Sequence, residues 1–201
     1  MCGIAGYIGK FLPRFSHLKK TSTVLQHRGP DGEGFYTHCH QKKSVALVHR
    51  RLAIIDPDSR SDQPFHYNET VLIYNGEIYN YIEVRKELES LGHVFKTNGD
   101  TEVLSHALFQ WGEDSLNKLE GMWAFAWYDE KKGRLILSRD RFGEKPLYLW
   151  HKNNGLYFAS EVKALAALAG EWPNVNENHL LRGLVNGYRA LYKKKKHFLM
   201  R

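Results

Sequence analysis

Cysteine is scarce in this chain of 201 residues, where Cys2 and Cys39 are the only two. They can close at most one bridge, which excludes a disulfide scaffold, and without an export signal both are expected as free thiols in a reducing compartment. No stretch approaches the roughly 20 apolar residues needed to cross a bilayer. Residues 1–25 also lack the ordered basic start, apolar stretch and small-residue cleavage site of a signal peptide. A cytoplasmic location, with no membrane partner, is the expectation. Internal repeats are absent, and a composition of 42% hydrophobic and 25% charged residues disfavours disorder and collagen-like structure. The net charge is +7, but Lys193, Lys194, Lys195 and Lys196 form one run, without which the excess falls to +3. The remaining basic residues are scattered and form no aromatic-basic stripe, so nucleic acid is not an expected partner.

What is present suits one large core. Residues 3–9, Gly-Ile-Ala-Gly-Tyr-Ile-Gly, read as a glycine-rich strand that starts almost at the terminus, where chains normally fray. A helix is expected near 16–26 and an irregular loop at 27–32. Strands follow at 34–38, 44–49 and 71–74, the last stopping at Asn75-Gly76. From 78 the period changes: Ile78, Ile82, Leu88 and Leu91 predict an amphipathic helix capped by Gly92, and Val103 to Trp111 a second one ending before Gly112. In Trp123 to Tyr128 large residues alternate with small ones without a charge, predicting a strand covered on both faces. Strands at 134–139, 147–151 and 156–159, the last two joined at Asn153-Asn154-Gly155, precede helices at 161–169 and 177–186. Strands in number with helices at intervals imply an α+β layered architecture. The expected boundary lies at Gly170-Glu171-Trp172-Pro173.

Several residues could carry chemistry. If Met1 is removed, Cys2 becomes an N-terminus holding both thiol and amine, a nucleophile beside its own base; the bland alternative is an arbitrary second residue. Asn75-Gly76 in isolation reads as a hairpin turn, but no second strand begins after Glu77, and an asparagine amide with a glycine N–H suits an oxyanion hole. Arg51 could be a strand-end charge or a bidentate clamp on a carboxylate. Asp100 could cap the helix that follows it or pair with an ammonium group. His38-Cys39-His40 holds metal-binding residue types, but neighbours on a strand face opposite ways, so no metal site is expected.

A thiol nucleophile, oxyanion donors, a carboxylate clamp and an ammonium partner describe a site for an amino acid with an amide side chain. The ordered set Met1-Cys2-Gly3-Ile4-Ala5-Gly6, His27-Arg28-Gly29-Pro30-Asp31-Gly32, Arg51-Leu52-Ala53-Ile54-Ile55-Asp56, Tyr74-Asn75-Gly76-Glu77-Ile78-Tyr79-Asn80 and Gly99-Asp100-Thr101-Glu102-Val103 resembles the class II glutamine amidotransferase domain. The likeness is strongest to the glutaminase domain of glutamine-hydrolysing asparagine synthetases. It continues through 121–126, Arg139-Asp140-Arg141-Phe142-Gly143-Glu144-Lys145-Pro146-Leu147-Tyr148 and 158–165, to about residue 187.

The resemblance implies the four-layer αββα sandwich of N-terminal nucleophile hydrolases over residues 1–170, with 171–201 starting a connecting segment. It implies that Cys2 attacks the side-chain amide of L-glutamine, releasing ammonia and then glutamate from a thioester. Asn75 and Gly76 would form the oxyanion hole, and Arg51, in preference to Arg50, would hold the α-carboxylate. Asp100 and Glu77 would surround the α-amino group, and Leu52, Ile54 and Ile55 would line the pocket. The glutaminase reaction would need no cofactor; ATP and magnesium belong to a synthetase domain whose Ser-Gly-Gly loop does not occur in these residues. That domain would be the partner, in cis or in trans, and a lone glutaminase domain is expected to expose an apolar patch and self-associate, as in a homodimer. Two classes stay open, an active glutaminase, whether of an asparagine synthetase or of a related amidotransferase with another acceptor, and a degenerate binding or regulatory module. Release of ammonia from glutamine discriminates them.

Overall fold

The computed structural model describes residues 1–186. The lysine run at 193–196 and most of the expected basic tail lie outside the described residues. In chain order the strands and helices are β1 (Gly3–Gly9), α1 (Phe15–Leu25), β2 (Gly32–His40), β3 (Lys43–Arg51), β4 (Phe65–Tyr67), β5 (Thr70–Ile78), α2 (Tyr81–Ser90), α3 (Asp100–Trp111), β6 (Gly121–Asp129), β7 (Arg134–Arg139), β8 (Tyr148–Lys152), β9 (Gly155–Ala159), α4 (Val162–Ala169) and α5 (Glu177–Asn186). They build one antiparallel sheet ordered β2-β3-β1-β9-β8 and a second ordered β4-β5-β6-β7.

Strand alternation sorts the side chains into layers. Ile4, Val45, Leu47 and Phe158 of the first sheet meet Val71, Ile73, Ala124, Ala126 and Tyr128 of the second. On its other face the first sheet presents Ala5, Tyr7, Ala46 and Val48 to Leu18 and Leu25 of α1 and Leu165 and Leu168 of α4. The second sheet presents Leu72, Tyr74, Trp123, Phe125 and Trp127 to Val84 and Leu88 of α2 and Val103, Leu104 and Leu108 of α3. The result is the expected four-layer αββα sandwich. The large residues of β6 pack on helices while its alanines let the sheets approach, which is why the segment carries no charge. Gly6 makes room on the inner face of its own sheet for the Phe158 ring of the neighbouring β9, because a Cβ there would lie 2.3 Å from that ring.

Several strands run a residue or two past their expected ends and β4 is an addition to them, but the largest difference lies at the end of β5. β5 does not stop at Asn75-Gly76: it runs to Ile78 because β6 continues opposite, pairing Asn75 with Ala124, Gly76 with Trp123 and Ile78 with Gly121. The helix after it therefore begins at Tyr81. It buries Val84 and Leu88, while Ile82 and Leu91 of the predicted apolar face are half-exposed. The caps behave as read: Gly92 takes a φ of 91° with its N–H on Glu89 O, and Gly112 follows α3. Asn153 and Asn154, at φ 49° and 58°, make the tight turn between β8 and β9. Gly170, at φ 81°, ends α4, and α5 leaves Leu181, Leu184 and Val185 exposed.

The position of β1 accounts for the ordered terminus. It is the middle strand of its sheet, hydrogen-bonded to β3 on one side and β9 on the other.

Candidate active site

Cys2 precedes β1 by one residue and by alternation shares the inward face of Ile4. Its Sγ sits 3.4 Å from the donating N–H of Leu52 and 3.7 Å from Leu52 O. Arg28 Nε donates to Cys2 O at 2.9 Å, and its Nη1 pairs with Glu161 at 3.1 Å, so the segment after α1 and the start of α4 brace the terminus. Burial pushes the thiol up, opposed by the Leu52 N–H, the chain-terminal ammonium and Arg51, while Asp100 adds to the rise.

The thiol opens into a cleft of about 220 Å³ lined by every residue singled out from the sequence: Cys2, Arg51, Leu52, Ile54, Ile55, Asn75, Gly76, Glu77 and Asp100. On β5, Ile73, Asn75 and Glu77 share the face turned toward the other sheet, so Asn75 faces the layer that Cys2 enters. Asn75 is 1% exposed, and its Nδ2 has no hydrogen-bond partner among the described residues. A buried amide left unpaired is costly, and a ligand oxygen is what would satisfy it.

Gly76 offers a second donor for a different reason. Its partner Trp123 spends its own N–H and C=O on Asp140, so the Gly76–Trp123 pair is not hydrogen-bonded and the Gly76 N–H points away from β6. The flanking N–H groups on that edge are taken: Tyr74 donates to Gln63 Oε1 at 2.6 Å and Ile78 to Asp100 Oδ2 at 3.0 Å. Between them the Gly76 N–H has no partner among the described residues. A side chain at 76 would collide with Met122 O and the Tyr74 ring.

The charged residues flank these donors. Val45, Leu47, His49 and Arg51 share the inward face of β3, whereas Arg50 turns outward, with Nε on Gly29 O and Nη1 near Glu33. Arg51 bonds the carbonyls of Asp56 and Asp58 and the carboxylate of Asp62, so it also folds the loop after β3 that carries Leu52, Ile54 and Ile55. Its Nε–H and remaining Nη2 hydrogen have no partner among the described residues. Asp100 is 5% exposed and does not cap α3. The N-cap is Gly99, and Asp100 Oδ2 instead accepts from the Tyr74 hydroxyl at 2.8 Å and from Ile78 N–H. Burial pushes the Asp100 carboxyl up, its two donors pull it down, and Glu77 pushes it further up, for a net rise. One end of the cleft is thus cationic and another anionic, the polarity a zwitterionic amino acid requires.

Several participants carry no signal in a single sequence. Tyr74 and Gln63 hold Asp100 and the β5 edge, and the only hint was that a buried tyrosine hydroxyl needs a partner. Lys145 lines the cleft at 7% exposure with its ammonium 3.5 Å from Met1 Sδ. His38 binds the Tyr128 hydroxyl, Cys39 is an exposed free thiol, and no cluster of three or more metal-ligating side chains occurs among the described residues. None of the described helices is long and apolar enough to cross a membrane.

The family described as glutamine amidotransferase domain matches residues 1–199. A glutamine-hydrolyzing asparagine synthetase of Zea mays is 38% identical over 199 residues, covering 96% of this chain and 33% of that protein. The glutamine-hydrolyzing asparagine synthetase 1 of Bacillus subtilis is 40% identical over 172 residues, covering 82% and 26%. The chain thus spans about a third or less of these relatives. Among solved structures, the glutamine phosphoribosylpyrophosphate amidotransferase of B. subtilis, complexed with ADP and GMP, shares the fold with a TM-score of 0.69. It is 23% identical over 84% of this chain and 44% of its own. The allosteric regulatory enzyme of purine biosynthesis superposes with the same TM-score at 25% identity, covering 84% of this chain and 43% of its own.

Proposed function

The chain belongs to the glutamine amidotransferase domain family, and from that premise we propose that it hydrolyses L-glutamine to glutamate and ammonia through Cys2. The observation that carries the reading is the unpartnered Asn75 Nδ2 and the free Gly76 N–H of the next residue, two donors with no acceptor among the described residues, in the cleft that holds the thiol. Removal of Met1 frees the Cys2 α-amine, which takes the thiol proton. The thiolate attacks the side-chain carbonyl carbon, and the oxyanion rests on Asn75 and Gly76. The ammonium returns its proton to the amide nitrogen, the C–N bond breaks and ammonia leaves a γ-glutamyl thioester. Water, deprotonated by the same amine, attacks the thioester. The C–S bond breaks, the thiol is reprotonated and glutamate departs. Arg51 binds the α-carboxylate, Asp100 and Glu77 the α-ammonium, and Leu52, Ile54 and Ile55 wall the aliphatic stem. This scheme draws on the chain's own groups and asks for no cofactor.

The relatives' names support the finer reading that this is the glutaminase domain of an asparagine synthetase. Its ammonia would then pass to a synthetase domain, in cis or in trans, that uses ATP and magnesium to convert aspartate to asparagine. The boundary between the two would fall near Gly170. A free nucleophilic thiol suits a reducing cytoplasm. The test is ammonia release by protein whose intact mass shows Met1 removed, with Cys2→Ala as the inactive control. Robust turnover by protein that retains Met1 would overturn the amine mechanism, and no turnover by Met1-free protein would overturn the glutaminase reading.

A further inference from the structure

The segment from Arg139 to Tyr148 is absorbed by no step above, yet it is among the most tightly held turns of the molecule. Asp140 Oδ1 accepts from the N–H groups of Phe142 and Glu144 at 3.1 and 2.9 Å, and its Oδ2 from Trp123 and Lys145 at 3.3 and 2.9 Å. Arg139 closes the other side, donating from Nε to Lys145 O at 2.7 Å and from Nη2 to Gly143 O, with Gly143 at φ 69°. The device fixes the backbone of Lys145 and sends its side chain into the cleft, where it is 7% exposed. A buried ammonium normally finds a carboxylate or several oxygens. Among the described residues Lys145 Nζ has only Met1 Sδ, a weak acceptor on the residue whose removal the proposed chemistry requires.

We propose that Lys145 is a positioning residue of the nucleophile: its ammonium, which contacts the Met1 side chain in the cleft it shares with Cys2, is left facing the new α-amine of Cys2 once Met1 is gone and, by like charge, keeps that amine unprotonated and able to act as base. The inference rests on the proposed glutaminase reading. The charges around the amine are Arg28 from the segment after α1, Arg51 from β3, Glu77 from β5, Asp100 from α3 and Lys145 from the turn after β7. Arg28 is spent on Cys2 O and Glu161. Arg51 is tied to the loop after β3, and Glu77 and Asp100 favour the protonated amine. Lys145 is the cation left without a counter-ion among the described residues, and it offsets the two carboxylates. The amine is thereby kept ready at neutral pH.

With two cysteines in the chain, labelling with [13C,15N]cysteine gives two sets of signals, and the Cys2 α-amino nitrogen can be titrated directly in Met1-free protein. Lys145→Met should raise the amine's midpoint by about one pH unit, the order of a single like-charge interaction in a partly solvated cleft. The acid limb of kcat/KM should move up with it, and Lys145→Arg should restore both. An unchanged midpoint in folded Lys145→Met overturns the proposal. If that variant does not fold, Lys145→Gln is judged by the same criterion. The midpoint is read without glutamine, so parent protein that releases no ammonia overturns the glutaminase reading alone, while the titration still decides the role of Lys145.

Discussion

At the scale of single residues, the proposed reaction divides the cleft into groups that bind and groups that act on the transition state. In that scheme Arg51 offers its spare hydrogens to a carboxylate that does not change during the reaction, so Arg51→Ala should raise KM. The loss of charge-assisted bonds, roughly 1.5–3 kcal/mol, corresponds to about 10- to 100-fold. Asn75→Ala removes a donor aimed at charge that develops only in the transition state and should lower kcat by about 10²–10³-fold. Steady-state kinetics of the two variants check both, and an unchanged KM for Arg51→Ala would reassign Arg51 to folding its loop. Asp100 yields a prediction of opposite sign for stability and function. Its folded-state carboxyl lies above the ordinary 3.8 because it is buried, so its contribution to stability is fully present below that value and is lost as pH rises through the raised one. Asp100→Asn keeps an acceptor for Tyr74 and Ile78 without the charge. The variant should gain melting temperature relative to the parent on going from acid to neutral pH while glutamine binding weakens. A difference in melting temperature that is the same at both pH values would show that the carboxylate costs the fold nothing.

At the scale of elements, β5 distributes one strand over four tasks. Tyr74 seats Asp100, Asn75 and Gly76 present donors, Glu77 brings charge, and Ile78 anchors the strand in the core. The two sheets are tied beside it by His49, wholly buried on the inward face of β3, whose Nε2 donates to Tyr74 O at 3.2 Å. Burial, the backbone bond notwithstanding, holds His49 down from 6.5 to about 3, with Arg51 and Arg50 contributing. Because burial depresses the folded value, the neutral buried ring contributes stability that is present above 6.5 and is lost as pH falls toward 3. His49→Gln preserves a donor without a titrating ring. Urea midpoints across that window should therefore fall less steeply for the variant than for the parent, and parallel curves would deny His49 any part in acid unfolding.

At the scale of the whole molecule, the sandwich is complete over its four layers, yet it leaves apolar surface beyond them. Phe142 is 90% exposed, Trp172 67%, and α5 turns Leu184 and Val185 outward at 72% and 82%. Single exposed apolar residues are ordinary, but a helix with an unburied apolar face is a surface a second domain would cover. The purified chain should therefore self-associate as its concentration rises in analytical ultracentrifugation.

Much of this was legible in residue types and their spacing, because those report local physics. The alternation in Trp123 to Tyr128 records two covered faces, Asn153-Asn154-Gly155 the turn geometry only such residues adopt, and Gly92 and Gly112 the ends of helices. The ordered motifs from Cys2 to Asp100 specify a chemistry by the functional groups they bring, wherever those groups lie in space. Tertiary structure decided the rest, since the remaining questions concern faces and partners that no local pattern contains. It is the pairing of β1 with β3 that turns Arg51 inward and Arg50 outward, though the two arginines are neighbours in sequence. The continuation of β6 opposite Asn75-Gly76 converts an apparent turn into a strand edge with a free N–H. The distance between Tyr74 and Asp100, set by α3 packing on the second sheet, takes Asp100 away from capping its helix and gives it to the cleft. Lys145 enters the same cleft only because Asp140 gathers four N–H groups from a turn and from β6. Side-chain type is local information, but which side chains share a cavity depends on how the sheets close on one another.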